Sequence, residues 1–172
     1  MTGDCGRDKD SCGSILTACE IAAWCKANGT TVYQYMIDIY KEVGLYYEGL
    51  INVVRKGRSG AEEIQEMMKN FRENPPKEIA GSLVEEVKDF QEQTCFVVSK
   101  NEKKVMDDIP KSNVLIYYTQ DGTKVCVRPS GTEPKIKFYV SVKDSIVSEQ
   151  DFVEKLPKLE EKINKVKQDL NL

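Results

Sequence analysis

The sequence contains no histidine, and only one tryptophan, among its 172 residues. Without histidine the chain supports neither catalysis by an imidazole base nor a zinc site built from Cys and His ligands. No apolar run approaches the ~20 residues that span a bilayer. The sequence also has little excess charge of either sign, because its 25 basic and 28 acidic side chains leave a net charge of −3. A general nucleic-acid binder is usually strongly basic, so we expect neither a nucleic-acid nor a membrane partner.

The N-terminal ten residues are polar and have no apolar segment of the kind that a signal peptide needs, so we expect a cytoplasmic protein. The sequence has no C-x-x-C pair. Its cysteines are Cys5, Cys12, Cys19, Cys25, Cys95 and Cys126. A chain that is 40% hydrophobic can build a core without a disulfide framework. We therefore interpret the cysteines as free thiols used as small apolar residues in a reducing compartment.

Two helices are predicted in the first 44 residues. Apolar side chains recur every three or four positions in residues 14–27 and 32–43. Residues able to cap a first turn precede both helices, namely Asp10 and Ser11 for the first, and Thr30 and Thr31 for the second. No strand is predicted beside this pair. Its apolar face would be exposed unless another segment or another chain covers it.

The character of the sequence changes after Gly44, where strand and helix patterns alternate. The predicted strands are residues 46–55, 79–90, 114–119, 124–128 and 136–142, and the predicted helices are 61–72 and 149–170. Residues 91–111 are predicted to be a long excursion with at most a short strand at 95–98. Asp121-Gly122 predicts a two-residue hairpin turn. These elements favour an α+β fold, an antiparallel sheet with helices on one face.

The loop between the last two predicted strands has the composition of an anion cradle. Arg128 offers a planar fork of donors that matches phosphate, and Lys135 adds positive charge. Ser130 and Thr132 supply hydroxyl groups. Gly131 allows the backbone to come close to a ligand, so that N–H groups can form an anion-binding nest. The alternative is a plain hairpin turn in which Ser and Thr make only local bonds.

Taken whole, the string RPSGTEPKIKFYV at residues 128–140 closely resembles the C-terminal phosphate-binding loop of the α-D-phosphohexomutases, the family of phosphoglucomutases and phosphomannomutases. Arg7-Asp8-Lys9-Asp10 and the alanine-rich stretch ILTACEIAAW resemble the end of the third domain in the phosphoglucomutase-like branch. Ser11 stands where many relatives have glycine. The resemblance covers essentially the whole chain.

This resemblance implies a C-terminal fragment of a four-domain enzyme. Residues 1–44 would be the last helices of domain 3, and residues 45–172 a complete domain 4, similar to one half of the TATA-binding saddle. The phosphoserine loop with its histidine and the Asp-Gly-Asp magnesium loop of the family are not in this sequence. The Mg²⁺ ligands would thus belong to the missing domains of the parent chain, and the intact enzyme would use a glucose 1,6-bisphosphate type activator.

The function implied by the resemblance is interconversion of hexose 1-phosphate and 6-phosphate. In that role the residues that hold the non-reacting phosphate would be Arg128, Ser130, Gly131, Thr132 and Lys135. Lys9 would assist near the transferred phosphate. Two other functions stay open at this point: a stand-alone phosphosugar-binding module without catalysis, and an interaction module for nucleic acid or protein. The sequence does not distinguish glucose from mannose.

Overall fold

The computed structural model describes residues 9–55 and 57–172. They divide into two compact units. One comprises the described residues up to Leu45 together with Ser145–Phe152, and the other comprises Tyr46–Asp144 with Val153–Leu172. The assignment of residues 1–44 and 45–172 to particular family domains stays a prediction.

The first unit contains the two predicted helices, α1 (Ser11–Ala27) and α2 (Val32–Val43). Both caps come from the residues that the sequence offered, because Asp10 accepts from the N–H of Gly13 at 2.8 Å and Thr31 accepts from the N–H of Gln34 at 3.1 Å. Each bond satisfies a donor that the first turn leaves without a helical partner.

The helix pair leaves much apolar surface uncovered. Ile15 and Leu16 of α1 are 65% and 63% exposed, and Trp24 packs on Tyr35 with ring centroids 5.2 Å apart. The five described cysteines are all free, as predicted. Their expected role as small apolar packing residues holds for the buried Cys25 and Cys95, but not for Cys12 and Cys19, which are exposed on α1. Cys5 lies outside the described residues.

The second unit is built on an antiparallel sheet. In chain order its elements are β1 (Leu45–Val54), α3 (Arg58–Glu73), β2 (Glu78–Ile79), β3 (Ser82–Asp89), β4 (Thr94–Val97), a 3-10 turn (Val98–Lys100), β5 (Glu102–Val105), β6 (Leu115–Thr119), β7 (Lys124–Pro129), β8 (Lys135–Asp144) and α4 (Glu149–Asp169). The strands lie in the order β1-β8-β7-β6-β3-β4-β5, and β2 pairs with β3. The strand pairs from β2 to β8 are antiparallel.

The prediction of a long excursion with at most one short strand in residues 91–111 is wrong. It contains two strands, β4 and β5, which pair with each other and extend the sheet beyond β3. All four residues of β5 are exposed and three are charged, so the strand has no apolar side to reveal it in the sequence. A short, charged edge strand of this kind also discourages pairing with other chains.

Two hairpin turns differ from the predictions, one in position and one in length. The predicted strand 79–90 is broken after Ile79 by a two-residue turn, Ala80-Gly81, in which both residues have positive φ, as a type I′ turn requires. The Asp121-Gly122 turn is one residue longer than predicted. The N–H of Thr119 donates to the carbonyl of Thr123 and only Gly122 has positive φ, which is the three-residue arrangement.

The core of this unit lies between one face of the sheet and the helices α3 and α4. Phe71 of α3 packs edge-on against Phe138 of β8, with ring centroids 5.6 Å apart. Gly49 of β1 lies so close to Ile163 of α4 that an added Cβ would stand 2.9 Å from its Cδ1. The fully buried strand residues include Leu115, Tyr117, Val125, Val127, Ile136, Phe138, Val140 and Val142. The predicted fold class, an antiparallel sheet with helices on one face, is confirmed.

Candidate functional site

A cleft of about 480 Å³ opens where the β7–β8 connection meets the beginning of α3. The connection follows directly on Pro129, the last residue of β7. The cleft is lined by Gly57, Ala61, Ile64, Gln65, Asn113, Pro129, Ser130, Gly131, Thr132, Glu133 and Pro134. Rigid elements thus frame a loop that is rich in small and hydroxyl-bearing residues.

The loop is closed by its own backbone and tied to the residue that follows β1. The N–H of Ser130 donates to the carbonyl of Lys135 at 2.8 Å, and the N–H of Lys135 donates to the carbonyl of Glu133 at 2.7 Å. The carbonyl of Pro134 accepts from the N–H of Arg55 at 2.9 Å. These bonds fix the loop before any ligand arrives, which lowers the entropy lost on binding.

Several polar groups of the loop remain unused. None of the described residues accepts a hydrogen bond from the N–H of Gly131 or of Glu133. The N–H of Thr132 makes only a long bond, 3.4 Å, to Oγ of Ser130. Backbone N–H groups left open in a tight loop are the usual donors of an anion-binding nest. The loop therefore offers donors that suit a negatively charged oxygen.

The first turn of α3 faces the same cleft. Its N-cap is Gly57, which gives no side-chain hydrogen bond, and the first turn contains no acidic residue. The N-terminal end of a helix carries partial positive charge and open N–H groups. Together with the loop, this end gives the cleft an electrostatic preference for an anion.

Charged side chains flank the loop on the neighbouring strands. The ammonium of Lys135 pairs with the carboxylate of Glu133 and holds the pKa of that carboxyl below its ordinary value. Arg128 lies directly across from Lys137 in the β7–β8 ladder. Arg128 is exposed and none of the described side chains pairs with its guanidinium.

The structure brings some of the predicted site residues together and leaves others apart. Ser130, Gly131 and Thr132 line the cleft side by side. Arg128 and Lys135 are not among its lining residues. Val127 and Ile136 are buried on the face of the sheet that carries the helices. Arg128 and Lys135 are adjacent to them in the strands, so their side chains lie on the other face, at the base of the loop.

Lys9 belongs to the first unit, whereas the loop belongs to the second. It is exposed, has a φ of 51° and precedes the capping residue Asp10. Arg7 and Asp8 of the same predicted segment lie outside the described residues.

Sequence reasoning missed two residues of the cleft that lie outside the loop. Asn113 and Gln65 both line it with carboxamide side chains. Neither residue belongs to a recognisable pattern, and they are brought to the loop only by pairing of β6 with β7 and by packing of α3 on the sheet. The sequence offered no signal for either one.

Cys95 and Cys126 are poor candidates for a nucleophile. Burial raises the pKa of the Cys95 and Cys126 thiols above the ordinary value, and the thiolate is the reactive form. No group of three or more metal-ligating side chains comes together within residues 9–55 and 57–172. Over the same residues, none of the helices is long and apolar enough to cross a membrane.

Comparison with protein families gives a match over most of the second unit. The profile described as phosphoglucomutase/phosphomannomutase, C-terminal domain, matches residues 50–158. This range contains the whole cleft and the strands on both sides of the loop.

Comparison with curated proteins gives the phosphoglucomutases of Staphylococcus aureus. That of strain MRSA252 is 36% identical over 137 residues, which are 80% of this chain and 24% of the relative. That of strain N315 is 34% identical over the same lengths. The chain thus spans about a quarter of the length of the curated relatives that it matches.

Among solved structures, the exocytosis-sensitive phosphoprotein parafusin of Paramecium, a phosphoglucomutase in its open form, matches 95% of this chain and 28% of its own chain. The TM-score is 0.46 at 18% sequence identity.

Proposed function

Because the chain belongs to the phosphoglucomutase/phosphomannomutase family, we propose that it is the phosphate-holding part of a phosphohexomutase. Its cleft binds the phosphate of a hexose phosphate that is not reacting, while the second phosphate is transferred at another part of the enzyme. The parent enzyme interconverts hexose 1-phosphate and hexose 6-phosphate. The chain makes and breaks no bond in this scheme and contributes by positioning.

One observation carries the proposal: the unused N–H groups of Gly131 and Glu133 and the first turn of α3 face a single cleft. The oxygens of a fully ionised phosphate only accept hydrogen bonds, so a cluster of donors fits them. A neutral sugar would need acceptors as well. The hydroxyls of Ser130 and Thr132 add donors that can rotate toward the ligand.

We propose Arg128 as the main charged anchor, as the family resemblance implies. Its side chain leaves β7 on the other face of the sheet at the base of the loop, so its guanidinium would reach the phosphate past the end of the strand. Its guanidinium can make two parallel charge-assisted bonds to one phosphate. Lys135 is also cationic, but part of its charge is already opposed by Glu133. Lys9 is proposed to act near the transferred phosphate, as the family resemblance implies.

Magnesium has no site among the described residues, and no step of the scheme runs through it in this chain. We propose that its ligands belong to other domains of the parent enzyme, which would use a glucose 1,6-bisphosphate type activator. We also propose a cytoplasmic location, because exposed free thiols such as Cys12 and Cys19 persist in a reducing compartment.

Amide chemical shifts of the ¹⁵N-labelled chain test the proposal. Inorganic phosphate and glucose 6-phosphate are each expected to shift the amides of residues 130–133 and 57–61, whereas glucose at equal concentration is not. Ser130→Ala is expected to weaken both titrations, and Ser99→Ala, a surface serine of the 3-10 turn, serves as the control. Phosphate-induced shifts confined to other surfaces, with a silent loop, would contradict the proposal.

A further inference from the structure

The cleft has a polar side chain whose orientation is fixed by a charge network behind it. Asn113 lines the cleft just before β6. Its Oδ1 accepts a hydrogen bond from a terminal nitrogen of the Arg72 guanidinium at 3.0 Å. An arginine has only donors, so the amide atom that faces it has to be the oxygen.

Arg72 is itself held in place. Its Nε donates to Oδ2 of Asp89 at 2.7 Å, and these two side chains are only 20% and 10% exposed. Oδ1 of Asp89 accepts from the backbone N–H of Gln91 at 2.9 Å and of Glu92 at 3.3 Å. A guanidinium anchored on one edge by a carboxylate presents its other edge in a fixed direction.

The other end of the Asn113 amide is open. None of the described residues accepts from its Nδ2. The β6–β7 register pairs Leu115 with Val127, and continuing it by two residues places Asn113 beside Pro129, where the loop begins. Because Arg72 occupies the oxygen, the amide presents only donors to the cleft.

We propose that Asn113 is a further phosphate-binding residue of this cleft and that Arg72, fixed by Asp89, is its positioning residue. The inference rests on the proposed function, since it assigns a new contact to the same phosphate. Nδ2 donates to a phosphate oxygen. The positive guanidinium on the far side of the amide polarises it and strengthens the donor. A donor-only group suits phosphate, whereas an amide free to turn could equally offer its oxygen and repel the anion.

Phosphate affinity of matched variants tests the role of Asn113. Asn113→Ala should weaken binding of inorganic phosphate roughly 10–100-fold, the cost of one hydrogen bond to a charged group. Asn113→Asp keeps the size and the partner for Arg72 but places carboxylate oxygens in the cleft, so it should weaken binding still further. Asn164→Ala, which removes an exposed carboxamide of α4 that does not line the cleft, should change affinity less than about three-fold, well below the Asn113 effect.

The positioning role needs a separate readout. In the wild-type chain the side-chain Nδ2 resonances of Asn113 should shift with phosphate. Arg72→Lys keeps a cation for Asp89 but loses the fork, so that shift should shrink and affinity should fall part of the way. A well-dispersed amide spectrum establishes that this variant folds. If it does not fold, the phosphate affinity of Asn113→Asp, which keeps the partner for Arg72, is the deciding measurement.

The outcomes separate the two proposals. If phosphate fails to shift the loop amides of the wild-type chain, the proposed function itself is wrong. If phosphate binds at the loop but Asn113→Ala and Asn113→Asp retain wild-type affinity, only the inference about Asn113 is overturned. A folded Arg72→Lys variant with unchanged affinity and unchanged Nδ2 shifts would remove the positioning role.

Discussion

Arg128 and Lys124 differ in their relation to the cleft although they occupy the same strand and the same face of the sheet. They are four residues apart on β7, about 13 Å at ~3.3 Å per residue. Arg128 lies at the end of β7 that is next to the loop, whereas Lys124 is the first residue of β7, at the opposite end. This makes Lys124 a control that loses the same charge without a contact to the loop.

Arg128→Ala is expected to weaken binding of glucose 6-phosphate on the order of 10–100-fold, because it removes charge-assisted hydrogen bonds. Arg128→Lys should recover only part of the affinity, since a lysine acts as a point charge. Lys124→Ala should change affinity less than about three-fold under the same salt conditions. Equal losses in Arg128→Ala and Lys124→Ala, measured by NMR titration, would mean that general attraction rather than a specific anchor operates.

At the scale of elements, the junction of β1 and α3 depends on a glycine. A Cβ added to Gly60 would stand 2.6 Å from the backbone oxygen of Arg55, and a backbone atom cannot move aside as a flexible side chain can. Gly60→Ala should therefore lower the free energy of unfolding by about 1–3 kcal/mol, despite the higher helix propensity of alanine. Ser59→Ala, at an exposed position one residue earlier, should be neutral or slightly stabilising. Urea denaturation compares them, and a Gly60→Ala variant as stable as Ser59→Ala would refute the close contact.

The stability of the protein should depend on pH through Asp121 of the β6–β7 turn. Burial raises the pKa of Asp121, but hydrogen bonds from Lys162, Thr119 and Thr123 outweigh it and hold the pKa below the ordinary value. A carboxyl with a lowered folded-state pKa stabilises the protein above its unfolded pKa of ~3.9, and this contribution is lost as the pH falls through the folded value.

Asp121→Asn should thus cost about 1 kcal/mol at pH 7, a modest figure because 38% of the side chain is exposed and solvent screens the charge. The difference from the wild-type chain should shrink below pH 4. Asp107→Asn, an exposed residue of another turn, is the control and should have no effect at either pH. Thermal unfolding of the three proteins at pH 7 and pH 3 measures this, and an Asp121→Asn deficit that persists in full at pH 3 would show that the lost charge is not its cause.

The elements that the sequence predicts well are those with a one-sided apolar pattern. Buried residues recur at every second position in β7 and in the first half of β8, and α2 has a clear apolar stripe, so local periodicity reports their burial. β5 escapes prediction because an edge strand exposed on both faces needs no such pattern. The Ala80-Gly81 turn escapes because alanine rarely adopts positive φ, and here the pairing of β2 with β3 imposes it.

The candidate site also has one part that the sequence predicts and one part that it does not. The loop is a contiguous string, so its donors can be read from Ser130, Gly131 and Thr132 directly. Asn113, Gln65 and the first turn of α3 reach the cleft through strand pairing and helix packing. Residues that are distant in sequence and belong to no motif are assembled only by the tertiary structure.

At the scale of the whole molecule, we propose that phosphate binding is separated from catalysis, which takes place in other parts of the parent enzyme. The sequence has no histidine, and the described residues assemble no metal site. The purified chain is therefore expected to give no interconversion of glucose 1-phosphate and glucose 6-phosphate in a coupled assay, with the Staphylococcus aureus phosphoglucomutase as the positive control. Turnover that survives repurification and follows the concentration of the chain would contradict this division of roles.

The central claim is that the cleft between the β7–β8 loop and the beginning of α3 holds a phosphate. A crystal structure of the chain with glucose 6-phosphate at saturating concentration tests it most directly. The account predicts the phosphate in this cleft, with its oxygens about 3 Å from the N–H of Gly131, from the Ser130 hydroxyl and from Nδ2 of Asn113. A phosphate bound on another surface, while the cleft stays empty at the same ligand concentration, would contradict it.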